Sequence, residues 1–365
     1  MPGRPTPVPV SQWGLFSSAR PLVIAGPCSA ESCGQVLETA RGLAHRGVSV
    51  FRAGLWKPRT HPGGFEGVGE KGLEWLCRVR EETALKVATE VAGARHVEAC
   101  LAAGIDLLWI GARTTASPFL VQEIADALRG TDVPVLVKNP LSPDPGLWMG
   151  AIERLEDAGI RRLGLIHRGF SSPGGHPYRN LPLWQLAIDM RTRCPELPFF
   201  ADPSHMGGDR SVLRELSQKA LDLGLDGLMV EVHVHPEAAL SDAAQQITPE
   251  AFQELLGALH VRSQDTDDAD YHAALAALRA RIDDIDAQLL DAFAARTAVS
   301  REIGRYKKEH NVAILQAGRW ESLLAEVVSQ GQALGLSEAF LCRVFAAIHD
   351  ESVRVQEEDA SRRGE

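Results

Sequence analysis

The chain reads Leu22-Val-Ile-Ala25 immediately before Gly26, and seven further short apolar runs follow it up to about His260. Each run breaks into Gly, Pro or a charged residue and is followed by a stretch of helix length. Strands that are apolar without alternation are buried on both faces, and eight strand–helix repeats are typical of a (β/α)8 barrel of the TIM type. The sequence therefore predicts an α/β fold built on such a barrel. The other runs are Val48-Ser-Val-Phe51, Leu85-Lys-Val-Ala88, Leu107-Leu-Trp-Ile110, Val135-Leu-Val137, Leu163-Gly-Leu-Ile166, Phe199-Phe200 and Leu228-Met-Val230.

Length and composition leave room for a second unit. The protein has 365 residues, of which 45% are hydrophobic, and a barrel of this type takes about 250 residues. The formal net charge of -10 disfavours a nucleic-acid partner, because such proteins usually carry a basic surface. Six scattered cysteines without a C-x-x-C pair favour free thiols, and no apolar stretch approaches about 18 residues. We therefore expect a cytoplasmic protein without a membrane segment.

The change in sequence pattern near residue 263 predicts two domains. Residues 1–19 are rich in proline and are expected to form a flexible lead, followed by the barrel over residues 20–262. Acidic and polar residues then dominate Ser263-Gln-Asp-Thr-Asp-Asp-Ala-Asp270, which is typical of a linker or of the acidic first turn of a helix. Residues 271–365 form a separate helical domain in this interpretation.

The helical domain is predicted from apolar residues that recur every three or four positions between Leu275 and Tyr306. This period indicates one helix of about 35 residues, which must pack on other helices or on a second chain to bury its apolar face. A second helix is expected over residues 317–333, and Ser337 is expected to cap a third that runs to about Glu358. The fold class is thus an α/β barrel followed by an all-α, three-helix domain.

Four residues near the ends of predicted strands could hold a divalent metal ion. Cys28, His205, Glu231 and Asp242 supply a thiolate, an imidazole and two carboxylates at one barrel mouth. Singly they have ordinary structural interpretations, since Cys28 could be a small buried apolar residue and Asp242 a helix cap. Together they favour Zn, Mn, Fe or Co over Mg, because the set mixes sulfur, nitrogen and oxygen ligands.

Positively charged residues also follow the strand ends. Like charges gathered at one mouth repel each other unless an anion neutralises them, and arginine matches phosphate and carboxylate oxygens with two parallel hydrogen bonds. The sequence therefore predicts binding of more than one phosphate-sized anionic group. The residues are Arg52, Lys57, Arg59, Arg113, Lys138 and Arg168.

The barrel sequence resembles the type I beta group of 3-deoxy-D-arabino-heptulosonate 7-phosphate (DAHP) synthases over about residues 20–260. The resemblance implies a condensation of phosphoenolpyruvate with erythrose 4-phosphate that releases phosphate and uses the four metal ligands. It also implies that Arg52, Lys57, Arg113, Lys138 and Arg168 bind phosphoenolpyruvate, that Arg59 and Thr60 bind erythrose 4-phosphate with Pro58 as a further substrate-binding residue, and that Lys57 or a metal-bound water donates a proton. The motifs that carry it are Gly26-Pro-Cys-Ser-Ala-Glu-Ser32, Phe51-Arg-Ala-Gly-Leu-Trp-Lys-Pro-Arg-Thr60, Gly111-Ala-Arg113, Asp202-Pro-Ser-His205, Glu231-Val-His233 and Leu240-Ser-Asp242.

The sister family of 3-deoxy-D-manno-octulosonate 8-phosphate synthases is the alternative. It shares the barrel but typically carries Lys-Ala-Asn-Arg-Ser where this chain has Lys57-Pro-Arg-Thr60, so the segment favours erythrose 4-phosphate over arabinose 5-phosphate. In this alternative the helical tail is a non-catalytic dimerisation or ligand-sensing module.

The tail places a charge on its own apolar stripe. Arg296 would be costly there without an anion or another polar partner. Lys307 lies on about the same helix face, whereas Arg279 lies roughly 100° away and points at a neighbour. A dimerising coiled coil with flanking charges is the simpler explanation of such a helix.

The tail also contains Leu278-Arg279-Ala-Arg-Ile282-Asp-Asp-Ile285-Asp286, followed by Arg296, Lys307, Arg319 and Gln356. With these residues it resembles the all-helical chorismate mutase class over about residues 270–358. The resemblance implies that Arg279, Arg296, Lys307, Arg319 and Gln356 act on chorismate. Arg279 would be donated by the partner in a homodimer. Gln316 and Trp320 stand where some relatives have acidic residues, so the contact to the substrate hydroxyl differs. The whole chain is then a bifunctional enzyme, and we expect prephenate or chorismate bound in the tail to inhibit the barrel.

Overall fold

The computed structural model describes residues 6–17, 19–57, 63–172, 177–262, 266–314 and 317–361. The chain divides into two compact units, Met1–Gln264 and Asp265–Glu365. The first contains all of the strands in the described ranges, and the second is helical.

Eight parallel strands form a closed barrel in the described part of the first unit, which confirms the predicted fold class. The last strand returns to the first, with Cα partners from Leu22 and Gly227 through Gly26 and Glu231. Because all strands run in the same direction, their carboxyl ends meet at one rim. The strands are β1 (Leu22–Gly26), β2 (Val50–Arg52), β3 (Lys86–Val91), β4 (Leu107–Ile110), β5 (Val135–Lys138), β6 (Leu163–His167), β7 (Phe199–Ala201) and β8 (Gly227–Glu231).

Helices surround the strands, and several begin at residues suited to capping. Ser32, Asp144 and Thr248 each accept a hydrogen bond from a backbone N–H in the first turn of the following helix. The helices are α1 (Cys33–Leu43), α2 (Lys71–Thr83), α3 (Ala94–Ala102), α4 (Ala112–Thr115), α5 (Pro118–Ala127), α6 (Pro145–Asp157), α7 (Trp184–Arg193), α8 (Pro203–Gly207), α9 (Leu213–Asp222) and α10 (Pro249–Gly257).

The barrel unit has two apolar layers. Along β1, Leu22 and Ile24 belong to the cluster inside the barrel, while Val23 and Ala25 belong to the cluster between strands and helices. This alternation explains why the strands are apolar at every position, since both faces are covered.

Part of the segment expected to be a flexible lead is packed in the structure. Trp13 is 3% exposed and joins the apolar cluster inside the barrel together with Leu15. The indole N–H of Trp13 donates to the carbonyl of Val8 at 2.8 Å, and the backbone N–H of Val8 donates to the backbone carbonyl of Arg161. Residues 8–16 therefore bury apolar side chains against the barrel, which a proline-rich composition does not reveal.

The second unit contains three helices in its described ranges. They are α11 (Ala269–Glu309), α12 (Ala317–Ala333) and α13 (Glu338–Ser361). The 41 residues of α11 exceed the predicted 35, because Asp268 accepts hydrogen bonds from the N–H groups of Asp270 and Tyr271 and so caps the helix within the predicted linker.

Close contacts join these helices at small residues. A Cβ atom at Gly304 of α11 would lie 2.8 Å from Cγ of Gln356 in α13, and one at Gly331 of α12 would lie 2.5 Å from Cδ1 of Leu341. Several large apolar side chains in the amino-terminal half of α11 are exposed within the chain. These are Leu278, Ile282, Ile285, Leu289, Leu290 and Phe293.

Two further observations concern the whole described chain. All six cysteines are free. In the described ranges, the helices lack a stretch that is both long enough and apolar enough to cross a lipid bilayer.

We predict opposite effects of the same substitution at two glycines. A methyl group at Gly227 would lie 2.3 Å from the carbonyl oxygen of Leu22 and 2.6 Å from the ring of Phe200, whereas one at Gly150 in α6 meets no atom within 4 Å. Gly227→Ala should lower the free energy of unfolding by about 3 kcal/mol, because the added methyl group would clash with backbone atoms that cannot move aside easily. Gly150→Ala should raise it by up to about 1 kcal/mol, since alanine favours the helix.

Urea unfolding followed by tryptophan fluorescence checks this prediction, because six of the seven tryptophans lie in the barrel unit. Equal, small changes in both variants would contradict it.

Candidate functional site

Four predicted metal ligands converge at the carboxyl rim of the barrel. Cys28 follows β1, His205 lies in α8 after β7, Glu231 ends β8, and Asp242 lies in the loop that follows β8. One ligand atom from each of the four lies within 4.8 Å of the others. A distance of 3.1 Å separates Cys28 Sγ from Asp242 Oδ2, and 3.7 Å separates His205 Nε2 from Glu231 Oε1. The arrangement is compact enough to hold one ion.

His205 is oriented by a second carboxylate. Its Nδ1 lies 2.8 Å from Oδ2 of Asp202, whose Oδ1 accepts from the backbone N–H of His205. Burial lowers the pKa of His205, and the charges of Asp202 and Glu231 oppose this effect. With Nδ1 engaged, Nε2 is the nitrogen left to face the other ligands, as in histidine ligands supported by a carboxylate.

Asp202 itself is fully buried and is balanced by charge. Burial alone would raise its pKa, but His205 and Lys138 hold the pKa of Asp202 well below its usual range. The Nζ atom of Lys138 lies 2.6 Å from Asp202 Oδ2. A buried anion of this kind is stable only while its cationic partners are present.

Glu231 presents one free oxygen to the site. Its Oε2 accepts from Gln245 Nε2 at 2.7 Å, whereas Oε1 is buried and lacks a hydrogen-bond partner in the described part of the chain. Arg52 Nη2 is at ion-pair distance from this Oε1, 3.3 Å, but is not aligned as a hydrogen bond. A cation at the centre of the four ligands would satisfy that oxygen.

Cys28 and Lys57 form the other side of the site. Burial and the Glu231 charge raise the pKa of Cys28 to about 12, although Lys57 opposes this. Lys57 Nζ lies 2.9 Å from Cys28 Sγ. Burial would lower the pKa of Lys57, but the nearby Cys28 sulfur and Glu231 carboxylate raise that pKa above its ordinary value, so Lys57 stays protonated. Binding a metal here would therefore release the thiol proton.

A cavity of about 430 Å³ opens above these ligands. The predicted cations that line it are Lys57, Arg113, Lys138 and Arg168, and Arg179 joins them. Arg52 lies deeper and is 1% exposed, with its guanidinium 4.8 Å from the centre of the Trp109 ring. Its Nε and Nη1 atoms lack partners among the described residues. Pro58, Arg59 and Thr60 lie outside the described residues.

A second cavity, of about 420 Å³, lies within the helical unit. Arg296, Lys307, Arg319 and Gln356 all line it, and none of its lining residues in the described ranges is acidic. Arg296 Nη1 donates to the hydroxyl of Ser352 at 2.5 Å. Because a hydroxyl carries no charge, this contact does not neutralise the guanidinium of Arg296. An anionic ligand in the cavity would neutralise it.

One predicted residue of the tail, Arg279, is not brought to this cavity. Arg279 is exposed on α11, about 25 Å along the helix from Arg296 at 1.5 Å per residue. Gln316 lies outside the described residues. Trp320 lines the cavity and stacks on His349, with ring centres 4.3 Å apart.

Several residues of the barrel site were missed by the sequence analysis. Asp202 stands within a quoted motif but had no assigned role, and Glu90 and Arg179 line the cavity without having been selected. Glu90 follows the apolar run Leu85-Lys-Val-Ala88 after one residue and lies next to the end of β3, so its position near a strand end marked it. Arg179 and Gln245 follow no strand, and nothing in the local pattern marks them.

The barrel and its cationic cavity define a (β/α)8-barrel enzyme with its site at the carboxyl rim, where such barrels carry their chemistry. The profile of the DAHP synthetase I family matches residues 17–266. The chain belongs to this family. The profile of chorismate mutase type II matches residues 278–357, so the helical unit is a chorismate mutase domain.

The relatives that this chain resembles include both a heptonate aldolase and a phosphooctonate aldolase. The chain is 35% identical over 234 residues to the phospho-2-dehydro-3-deoxyheptonate aldolase of Thermotoga maritima, covering 64% of this chain and 67% of that protein. It is 32% identical over 278 residues to the 2-dehydro-3-deoxyphosphooctonate aldolase of Desulfotalea psychrophila, covering 69% and 94%. A crystal structure of the Thermotoga maritima DAHP synthase superposes with a TM-score of 0.58 at 34% identity, covering 65% of this chain and 67% of that one. The chain thus combines DAHP synthase and chorismate mutase domains.

We predict that Lys138 and Asp202 stabilise the barrel only as a pair. Lys138→Met should lower the free energy of unfolding by about 3–5 kcal/mol, because it removes a cation from a buried carboxylate. Adding Asp202→Asn should recover part of that loss, since asparagine keeps the Oδ1 contact to the N–H of His205. Urea unfolding of the two single variants and the double variant measures the coupling, and simple additivity of the three values would contradict it.

Proposed function

We propose that the barrel condenses phosphoenolpyruvate with erythrose 4-phosphate, forming DAHP and phosphate, with a divalent metal held by Cys28, His205, Glu231 and Asp242. The observation that carries this proposal is that four ligand atoms within 4.8 Å of one another open onto a cavity lined by cations. Two phosphorylated substrates need positive charge, and an aldehyde acceptor needs an electrophilic partner for its oxygen.

The donor set fits a borderline divalent ion. Sulfur, nitrogen and carboxylate oxygen suit Mn, Fe, Co or Zn, and the unpartnered Oε1 of Glu231 is an oxygen without a protein donor among the described residues. When bound, such an ion would act as a Lewis acid that polarises the aldehyde carbonyl.

The residues of the cavity would then position the reactants. Lys138, Arg113 and Arg168 line it and would bind the carboxylate and phosphate of phosphoenolpyruvate, and the two unpartnered N–H groups of Arg52 could reach the same anion. C3 of phosphoenolpyruvate attacks the aldehyde carbon, water adds at C2, and phosphate leaves. Lys57, protonated and 2.9 Å from Cys28 Sγ, would give its proton to the developing alkoxide.

The erythrose 4-phosphate site is proposed at Pro58, Arg59 and Thr60, on the strength of the sequence motif alone. The phosphooctonate aldolases are also similar to this chain, so the sugar phosphate must be identified by comparing turnover of erythrose 4-phosphate and arabinose 5-phosphate.

In the helical unit, we propose that chorismate rearranges to prephenate in the 420 Å³ cavity. Arg296 and Arg319 would bind the two carboxylates of chorismate, while Lys307 and Gln356 would face the ether oxygen. The reaction is pericyclic, so holding the reactive conformer and stabilising charge on that oxygen are the contributions the residues make.

We further propose a homodimer formed through α11. Its exposed apolar stripe from Leu278 to Phe293 is a surface that a second helix would cover, and Arg279 lies on this half of the helix. The partner's stripe would bring Arg279 to the cavity of the opposite chain. A cytoplasmic location is part of the proposal, because six free cysteines suit a reducing compartment.

A paired assay tests both activities. Phosphoenolpyruvate and erythrose 4-phosphate should release phosphate in the presence of Mn or Co, and chorismate should yield prephenate. A chelator should abolish only the first reaction, because only that site uses the metal. Faster turnover with arabinose 5-phosphate than with erythrose 4-phosphate would contradict the proposed substrate.

Adding prephenate to the synthase assay tests the expected inhibition of the barrel. An unchanged synthase rate at saturating prephenate would contradict that expectation.

We predict that Arg279 and Arg296 complement each other between chains. Arg279→Ala and Arg296→Ala should each remove most mutase activity while leaving the synthase unchanged. After subunit exchange, an equal mixture should recover roughly a quarter of wild-type mutase activity, because half of the dimers are mixed and each carries one intact site. No recovery in mixtures shown to exchange subunits would contradict the shared site.

A further inference from the structure

Arg179 contacts two residues of the metal-ligand region with one nitrogen. Its Nη1 lies 2.8 Å from Oδ1 of Asp242 and 3.0 Å from Oε1 of Gln245. The first partner is one of the four candidate ligands. The second is a glutamine that is 1% exposed in the turn that follows it.

Gln245 extends this contact to a second ligand. Its Nε2 donates to Oε2 of Glu231 at 2.7 Å, and Glu231 is fully buried. Arg179 therefore reaches Asp242 directly and Glu231 through one amide. The amide orientation is consistent, since its oxygen accepts from a guanidinium and its nitrogen donates to a carboxylate.

The contacts divide the oxygens of each carboxylate into two kinds. Asp242 uses Oδ1 for Arg179 and turns Oδ2 towards Cys28 Sγ at 3.1 Å. Glu231 uses Oε2 for Gln245 and leaves Oε1 towards His205 Nε2 at 3.7 Å. In both cases the outer oxygen is held by the network and the inner oxygen faces the other ligands.

The backbone of Arg179 is anchored to the turn that carries His205. The N–H of Arg179 donates to the carbonyl of Gly207 at 3.0 Å, and Asn180 Nδ2 donates to the carbonyl of His205 at 2.6 Å. A Cβ atom at Gly208 would lie 2.5 Å from Cβ of Arg179, and Gly208 has φ +70°. Only glycine fits this close approach easily.

We propose that Arg179 and Gln245 are positioning residues that orient Asp242 and Glu231 and thereby set the affinity and coordination geometry of the metal site. This proposal rests on the proposed metal site. Arg179 and Gln245 lie outside the quoted sequence motifs and do not follow a strand directly. Groups that orient ligands from behind typically change metal affinity by about 10- to 100-fold when removed.

Cobalt binding to the full-length, metal-free protein tests the inference. The dissociation constant comes from competition with a chelator, and the visible and near-ultraviolet spectrum reports geometry and thiolate ligation. Loss of the near-ultraviolet band in Cys28→Ser would show that the probe reads this site. Arg179→Gln and Gln245→Leu should each raise the dissociation constant by about 10- to 100-fold and alter the visible bands.

Two further variants separate orientation from charge. The double variant should bind cobalt with a dissociation constant close to that of the more weakly binding single variant. The reason is that Arg179 and Gln245 belong to one hydrogen-bonded network, so their effects should not add. Arg179→Lys keeps the charge and should recover part of the affinity. Arg210→Gln is the matched control and should bind cobalt as the wild type does. Among the described residues, the Arg210 side chain donates to the backbone carbonyls of Ala243 and Ala244 in the same turn and not to a candidate ligand.

The outcomes are distinguishable. If the wild type binds no cobalt, the proposed metal site fails and this inference falls with it. If the wild type binds cobalt and Arg179→Gln binds it with the same affinity and spectrum, only this inference is overturned. The same holds if Arg179→Gln leaves cobalt binding unchanged but raises the KM for erythrose 4-phosphate, since Arg179 would then be a substrate contact. Equal melting temperatures of the metal-free variants exclude a general loss of folding.

Discussion

The barrel mouth depends on the mutual neutralisation of buried charges. Lys138 and Asp202 lie 2.6 Å apart with almost no solvent exposure, and Arg52 lies 3.3 Å from a fully buried Glu231. Removing either member of such a pair would leave an ion without water or a counter-ion, which costs several kcal/mol. The same constraint places cations and anions side by side, which is the arrangement that the proposed metal ion and the proposed phosphorylated substrates require.

The barrel cavity and the helical cavity have different charge patterns, and the two patterns suit different chemistry. The barrel cavity mixes carboxylates, a thiol, an imidazole and cations, a pattern that suits a polarised carbonyl and two phosphate esters. The helical cavity combines arginine and lysine with hydroxyl and amide groups, and its described lining contains no carboxylate. This pattern suits a dicarboxylate that rearranges without a nucleophile. The two cavities have similar volumes, so their chemistry differs through side-chain type.

Support for the ligands comes from residues that lie behind them. Asp202 fixes the ring of His205, and Gln245 and Arg179 engage the outer oxygens of Glu231 and Asp242. Each of these three candidate ligands is therefore oriented by contacts within the protein, as expected for sites held ready before binding. Asp242 adopts φ +51°, a left-handed conformation that brings its side chain back towards the rim.

The sequence by itself determined the order of strands and helices, the fold class, and the residues that stand at strand ends, because these depend on local apolar periodicity and on the rule that parallel strands share one rim. It also identified the helical tail, although it missed the packing of Trp13 under the barrel and the two extra turns of α11. The tertiary structure alone decided which rim residues touch. Arg179 and Asp242 are 63 positions apart and meet only because the turn after β7 and the loop after β8 fold against the same segment. Contacts of this kind depend on the geometry of several elements at once, which no local pattern of residues encodes.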